Sequence, residues 1–458
     1  MFSKYIDNKK EEMIENLQKL IQIPSVYEES SNPKKPFGEN ANKALEYMLD
    51  LGKKMGFRTK NIDGYCGYIE FGEGDELLGL IGHLDVVPVN DGWTYPPFSA
   101  TIVNGKIFGR GAIDDKGPVM ASLYAMKAVM DTKKVHKRVR LIVGLNEEND
   151  WKCIEYYKKH EEAPTIGFSP DADFPCIYAE KSIITSNISM EYDGKNDKIQ
   201  IVDIDCNNNP DNVVPKICKV KLKAENDNLE DIEKIIEKHK FKIEINKTNE
   251  GLELVSHGLE AHAAHPDFGI NAISQMIIVL NEIFIKNNIQ NEFFDFFNKY
   301  INTDYNGKLL EINYPDESGN LTLNVGKFSL KNNKISINMN IRIPIHTEIE
   351  KVEEKFKQAL ENYKKLNYER LETENSLYVS KDSYLVKTLC RIFNEENHSN
   401  LEPIAIGGAT YARAFKNCIS FGANMPGAKD MCHQADEFIS IDNLIFAAKV
   451  YARAISEL

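Results

Sequence analysis

The chain has 458 residues, with 56 Lys+Arg against 69 Asp+Glu, a net charge of −13, 42% hydrophobic and 27% charged residues. This balance excludes a mostly disordered chain and argues against a globally basic nucleic-acid binder. The length suggests about two to three domains.

The first 20 residues include Lys4, Asp7, Lys9, Lys10, Glu11 and Glu12, and no signal-peptide core can be drawn there. The apolar run Leu77–Ile81 is far shorter than the ~20 residues a membrane-spanning helix needs. The chain therefore reads as cytoplasmic, without a membrane or nucleic-acid partner. Residues 9–23 and 39–56 carry apolar positions at helical spacing. Tyr65–Phe71 and Leu77–Ile81 read as strands, the second apolar throughout, as in a buried parallel sheet. A helix is expected over 116–130, a buried strand over Val139–Leu145, a helix over 150–159 and a short strand at Ile166–Ser169.

The character shifts near residue 184. Lys216–Lys223 alternates like a strand, a helix is expected near 228–239, and 269–300 reads as helical. Lys334–Ile343 alternates like a half-exposed strand, and a helix follows at about 348–363. Helix-strand alternation resumes after about 377, with 382–396, Ile419–Phe421 and a C-terminal helix near 441–456. The expected fold class is α/β in two domains. A discontinuous catalytic α/β domain, 1–183 and 377–458, has a mixed sheet flanked by helices, and an α+β domain, 184–376, is inserted into it. The eight cysteines, Cys66, Cys153, Cys176, Cys206, Cys218, Cys390, Cys418 and Cys432, include no C-x-x-C pair, and free thiols are expected.

Five segments could carry chemistry. His83 and Asp85, in Gly82–Pro88, follow an apolar strand and at strand spacing project to the same side. Asp114 and Asp115, in Gly109–Pro118, are adjacent carboxylates that repel unless a cation neutralises them; either could instead be a helix N-cap. Glu147 and Glu148 end the strand VRLIVGL, where one could bind metal while the other handles protons. Asp171 and Asp173 end a short strand, and His433 precedes the C-terminal helix. Each has a plainer reading alone: a strand-end hydrogen bond, solvated loop glutamates, an Asx-turn, a structural histidine. Together His83, Asp114, Glu148, Asp171 and His433 offer two imidazoles and three carboxylates. If one carboxylate bridges, each of two divalent ions receives three protein ligands, as in two-metal hydrolytic sites. Zinc, manganese or cobalt would accept such ligands.

In order and spacing, these motifs resemble the di-metal exopeptidase family of dipeptidase V (PepV), carnosinase, aminoacylase and succinyl-diaminopimelate desuccinylase, over nearly the whole chain. The likeness is strongest to the PepV-like dipeptidases, through GRGAIDDKGP, the NEE stretch ending at Trp151, SPDADFP and HQADEF. The resemblance implies a metallo-dipeptidase. His83 and Asp171 would hold one metal, Glu148 and His433 the other, and Asp114 would bridge, with a cis peptide bond after it. Asp85 would orient His83, and Glu147 would be the general base. The inserted domain resembles the family's lid, where His262 would stabilise the oxyanion and Asn212 and Arg342 would hold the substrate carboxylate. Gly407–Arg413 resembles a glycine-rich turn near that carboxylate, with Gly408 and Thr410 as substrate-binding residues. Ala409 stands there in place of a common third glycine, and would cost about 1 kcal/mol if its φ had to be positive. Asp436 replaces a frequent asparagine. The enlarged insertion implies a monomer. A deacylase or desuccinylase with the same metal core is the rival enzyme reading, and a non-catalytic peptide-binding homologue is the rival of another class.

Overall fold

The computed structural model describes all residues except 134, 193, 195–197, 225–228 and 249–250. The chain divides into two compact units: Met1–Ala179 with Leu377–Ile404 and Ala409–Leu458, and Glu180–Ser376 with Ala405–Gly408.

The first unit is built on one mixed sheet. Its path runs Arg58–Ile62, Cys66–Phe71, Arg138–Gly144, Leu77–His83, Ile166–Ser169, Cys418–Ser420, Ile177–Glu180 and Leu377–Tyr378. The centre is parallel: Leu77–His83 pairs with Arg138–Gly144 on one side and with Ile166–Ser169 on the other. Every residue of Leu77–His83 is buried, which is why its sequence is an unbroken apolar run rather than an alternation. The Lys116–Thr132 helix packs on the C-terminal helix Ile441–Glu457. Gly82 permits the close approach of the first of these helices to the strand: a Cβ there would lie 2.4 Å from Asp115 Oδ2 and 2.5 Å from Val119 Cγ2. An N-terminal helix, Phe2–Asn8, precedes the expected one, which spans Lys10–Ile21.

The second unit contains two four-stranded antiparallel sheets. One orders Thr322–Lys331, Lys334–Ile343, Ser182–Glu191 and Asn367–Glu374; the other orders Ile199–Asp205, Ile217–Ala224, Gly251–His257 and Ile243–Thr248. Asn332 and Asn333, with φ of 52° and 58°, form the two-residue turn of the first hairpin, where asparagine tolerates the left-handed backbone. Its core gathers isoleucine-rich strands and the helices Ala272–Lys286, Glu292–Tyr300 and Ile349–Leu360.

Two expectations are corrected. The helical stretch 269–300 is two helices, because Asn287 closes the first and the Asn291 side chain caps the second, accepting from Phe293 and Phe294 N–H. Lys334–Ile343 is half-exposed only in its first half; from Asn340 to Ile343 both faces are covered. The helix expected near 228–239 spans Leu229–His239, and residue 228 lies outside the described residues.

Candidate metal centre

The ends of three parallel strands converge in the first unit. Leu77–His83 delivers His83, Arg138–Gly144 leads into Asn146–Glu148, and Ile166–Ser169 leads to Asp171. The C-terminal ends of parallel strands are where open α/β sheets place ligands. The Phe438–Ser440 strand pairs with Lys106–Phe108, bringing the His433 segment beside the loop that carries Asp114.

The side chains form two groups sharing one carboxylate. His83 Nε2 lies 3.0 Å from Asp114 Oδ1 and 3.5 Å from Asp171 Oδ2. His433 Nε2 lies 3.1 Å from Asp114 Oδ2 and 3.1 Å from Glu148 Oε2. Within each group the potential ligand atoms all lie within 4.8 Å of one another. Asp114 thus turns one oxygen to each group, as a bridging carboxylate must. The Asp114–Asp115 peptide bond is cis.

The electrostatics fit a cation site. Burial raises the Glu147 carboxyl well above its usual range, with His83 opposing and the charges of Asp171, Glu148 and Asp114 adding to the rise, and Glu148 is pushed up to about 7 mainly by burial. Burial also raises Asp171, followed by the charge of Asp114. Burial alone would lower the His83 imidazole, but its bonds to Asp114, Asp171 and Asp85 outweigh that and raise it well above normal. His433 likewise reaches about 11, although half its side chain is exposed. Asp114 is the exception: burial would raise it, but the His433 and His83 imidazoles outweigh that and lower it. Carboxylates this crowded repel one another unless positive charge enters. Divalent ions ligated by two imidazole nitrogens and three carboxylates would supply it, and the donor set is the N/O type that zinc, manganese or cobalt accepts.

Asp85 does more than orient His83. Its backbone oxygen is 3.0 Å from His83 Nδ1, nearer than its carboxylate at 3.5 Å. The carboxylate itself accepts the N–H groups of Glu147 and Glu148, each at 3.1 Å, and so locks the glutamate pair to the His83 strand. Asp115 occupies the N-cap of the Lys116–Thr132 helix without a capping bond; its Oδ2 instead accepts the His83 N–H at 3.1 Å. Asp173 is raised by burial and bonds Asn424. Asp436, in the position of the frequent asparagine, accepts the N–H groups of Thr94 and Tyr95 at 2.7 and 3.4 Å.

Sequence reasoning left several neighbours unassigned. Tyr411 is buried, packs edge-on against His83 and Trp151, and bonds Cys153 Sγ at 2.7 Å. Arg110 and Glu437 form a fully buried ion pair at 2.6 Å. The signal for both was present, since Arg110 lies in the GRG motif and Glu437 in HQADEF. Thr410 is buried, shares a bond with Ser420 Oγ at 2.7 Å and caps the turn beginning at Tyr411. Ala409 does not have a positive φ, so its replacement of glycine brings no backbone strain.

In the second unit, Val213–Val214 pairs with Ala261–His262, in the register Val213↔His262, and Ala263 N–H donates to Asn212 O at 2.8 Å. Asn212 and His262 are both exposed on this small ribbon. Ala264 N–H donates to His262 Nδ1 at 3.3 Å, so the neutral ring carries its proton on Nε2. Arg342 is buried; its Nε donates to Asn340 Oδ1 at 3.1 Å and its Nη1 to Gly407 O. It is therefore not a solvated strand arginine. Gly407 and Gly408 belong to this unit with it.

All eight cysteines are free thiols, seven of them buried. Among the described residues no helix is long and apolar enough to cross a membrane.

The model of peptidase family M20/M25/M40 matches residues 79–457. The chain is 40% identical over 459 residues to a Bacillus subtilis (strain 168) protein named "Putative dipeptidase YtjP", covering 98% of each. It is 32% identical over 469 residues to "Putative dipeptidase SH1171" of Staphylococcus haemolyticus, covering 100% of this chain and 99% of that one. The fold is similar to that of human carnosine dipeptidase 1, with a TM-score of 0.61 at 15% identity, covering 100% of this chain and 98% of the other. It is also similar to Dug1p, a di-peptidase of Saccharomyces cerevisiae, with a TM-score of 0.60 at 14% identity, covering 100% and 98%. The family resemblance of the motifs is thus borne out along the chain, which belongs to peptidase family M20/M25/M40.

Proposed function

We propose that the protein is a metal-dependent dipeptidase that hydrolyses the peptide bond of small dipeptides. It would use two divalent ions, zinc first and manganese or cobalt as alternatives. The observation that carries this reading is the pair of ligand groups sharing Asp114: His83 and Asp171 on one side, Glu148 and His433 on the other. Relatives at 40% and 32% identity that are named as dipeptidases support the substrate class.

Ions so placed would polarise the scissile carbonyl and lower the pKa of a water. Glu147 takes a proton from the attacking water on its carboxylate and returns it to the leaving amine nitrogen. Asp85 fixes the backbone of that base. His262 donates from Nε2 to the carbonyl oxygen as negative charge develops there. Arg342, with Asn212, Gly408 and Thr410, holds the substrate's terminal carboxylate; a guanidinium fork pre-set by Asn340 and Gly407 suits a planar anion.

The same reading takes the protein as a cytoplasmic monomer acting on small peptides, away from nucleic acid and membrane. The eight free thiols and the net charge of −13 support it.

The test is hydrolysis by metal-depleted protein, reloaded with zinc or manganese, of a dipeptide, its N-acetylated form and its tripeptide extension. Cleavage of the free dipeptide alone is expected. Cleavage of the acetylated form alone would move the assignment to a deacylase on the same metal core. Cleavage of none, with both metals bound, would favour a peptide-binding protein.

A further inference from the structure

The Arg110–Glu437 pair ties together the two segments that carry Asp114 and His433. Glu437 Oε1 accepts the N–H groups of Ile113 and Asp114 at 3.1 and 3.3 Å, while its Oε2 receives Arg110 Nη1 at 2.6 Å. Arg110 then reaches the other segment: Nη2 donates to His433 O at 3.2 Å and Nη1 to Gln434 O at 3.3 Å. The backbone joins the same segments, with Gly109 N–H donating to Glu437 O at 2.9 Å.

The pair is built rather than incidental. Both side chains are 1% exposed, and the guanidinium also lies over the Trp93 ring at 5.3 Å. His433 has φ of 64°, in the left-handed region that non-glycine residues adopt uncommonly. Arg110 holds the carbonyl of that residue.

We propose that Arg110 and Glu437 are a positioning pair that fixes His433 against Asp114 and thereby sets the geometry of the second metal position. This rests on the two-ion reading above. Neither residue belongs to the two ligand groups, His83 with Asp114 and Asp171, and Asp114 with Glu148 and His433. A planar fork is required, since one group must serve a carboxylate and two carbonyls at once.

The test uses the full chain with two variants and a control. Glu437→Gln keeps an acceptor for the Ile113 and Asp114 N–H groups but removes the charge facing Arg110. Arg110→Lys keeps the charge but loses the fork. Glu70→Gln breaks another buried ion pair, Glu70–Arg140 at 2.6 Å, between neighbouring strands of the same unit. Metal content, affinity by chelator competition and the cobalt(II) absorption spectrum are read alongside thermal stability.

Both site variants are expected to keep one ion at the unmodified affinity, to bind the second about 10–100-fold more weakly and to show an altered cobalt spectrum. Glu70→Gln is expected to lose stability while retaining both ions and the spectrum. If Glu437→Gln and Arg110→Lys keep both affinities and the spectrum, whatever their stability, the positioning role is overturned. If the unmodified protein binds fewer than two ions, the two-ion reading falls first and the pair's proposed role falls with it.

Discussion

The carboxylate of Asp85 accepts the backbone N–H of Glu147 at 3.1 Å, and its second oxygen does the same for Glu148. A residue two positions beyond His83 thus holds the end of a different strand. Asp85→Ala leaves two N–H groups without their acceptor, at about 1–3 kcal/mol each if they stay buried. Asp85→Asn keeps one acceptor oxygen and loses the charge. Alanine is expected to lower both the denaturant midpoint and the affinity for added metal. Asparagine should lower metal affinity with a smaller loss of stability. Parallel urea unfolding and metal titration would check the order.

Glu147→Gln is expected to retain both ions and lose roughly 10²–10⁴-fold in kcat, the span of a general base. KM for the dipeptide should change little. Metal analysis of the same preparation used for kinetics separates this from loss of the site. Full turnover with bound metal would remove Glu147 from the base role.

Metal removal should make stability pH-dependent with a definite sign. Glu148 stands at about 7 in the folded chain against an ordinary 4.5, so the folded state holds its proton more tightly. A carboxyl raised in this way gives stability that is present below 4.5 and lost as pH rises through 7. His433, raised to about 11, adds stability present below 6.5 and lost as pH climbs towards 11; its half-exposed ring makes this the smaller effect. The chelated protein should therefore melt at lower temperature at pH 8 than at pH 5.5. Added zinc should raise the Tm more at pH 8, where the ions displace fewer protons. Equal gains at both pH values would contradict this.

Gly82→Ala is a test of packing beneath the site. Its Cβ would meet Asp115 Oδ2 at 2.4 Å and Val119 Cγ2 at 2.5 Å, and neither belongs to a flexible chain end. Overpacking of this kind costs about 1–3 kcal/mol. Because Asp115 Oδ2 also accepts the His83 N–H, metal affinity should fall along with the urea midpoint.

Much of the candidate metal centre is legible in the sequence because its residues end apolar strands. A fully buried strand such as Leu77–His83 announces itself, and whatever follows it lies at the sheet's C-terminal edge. The five motifs then supply the donor atoms. Side-chain bonds that cross between segments were not legible. Asp115 reads as an N-cap yet accepts a strand N–H, and Asp85 reads as a partner of His83 yet mainly serves Glu147 and Glu148. Arg110 and Glu437 are 327 residues apart, and nothing in periodicity or spacing pairs them. The break between Ala272–Lys286 and Glu292–Tyr300 was missed because apolar residues run on either side of it. The asparagines at 287, 288 and 291, with Asn288 at φ 57°, are its local sign.

Substitution of Arg342 tests the proposed carboxylate recognition separately from the chemistry. Its guanidinium is buried and oriented by Asn340 Oδ1 and Gly407 O, so a substrate carboxylate would meet a pre-set fork. Lysine keeps the charge but presents a single ammonium and cannot hold both orienting acceptors in that plane. A hydrogen bond to a charged group contributes about 1.5–3 kcal/mol, so Arg342→Lys should raise KM for a dipeptide roughly 10–100-fold. The effect on kcat should be small, because the carboxylate contact is the same in ground and transition states. A C-terminally amidated dipeptide lacks the anion that the fork would bind. It should therefore be a poor substrate for the unmodified protein and should lose little further in the variant. If the amide suffers from Arg342→Lys as much as the free acid does, the arginine supports the fold of its own unit and does not read the carboxylate.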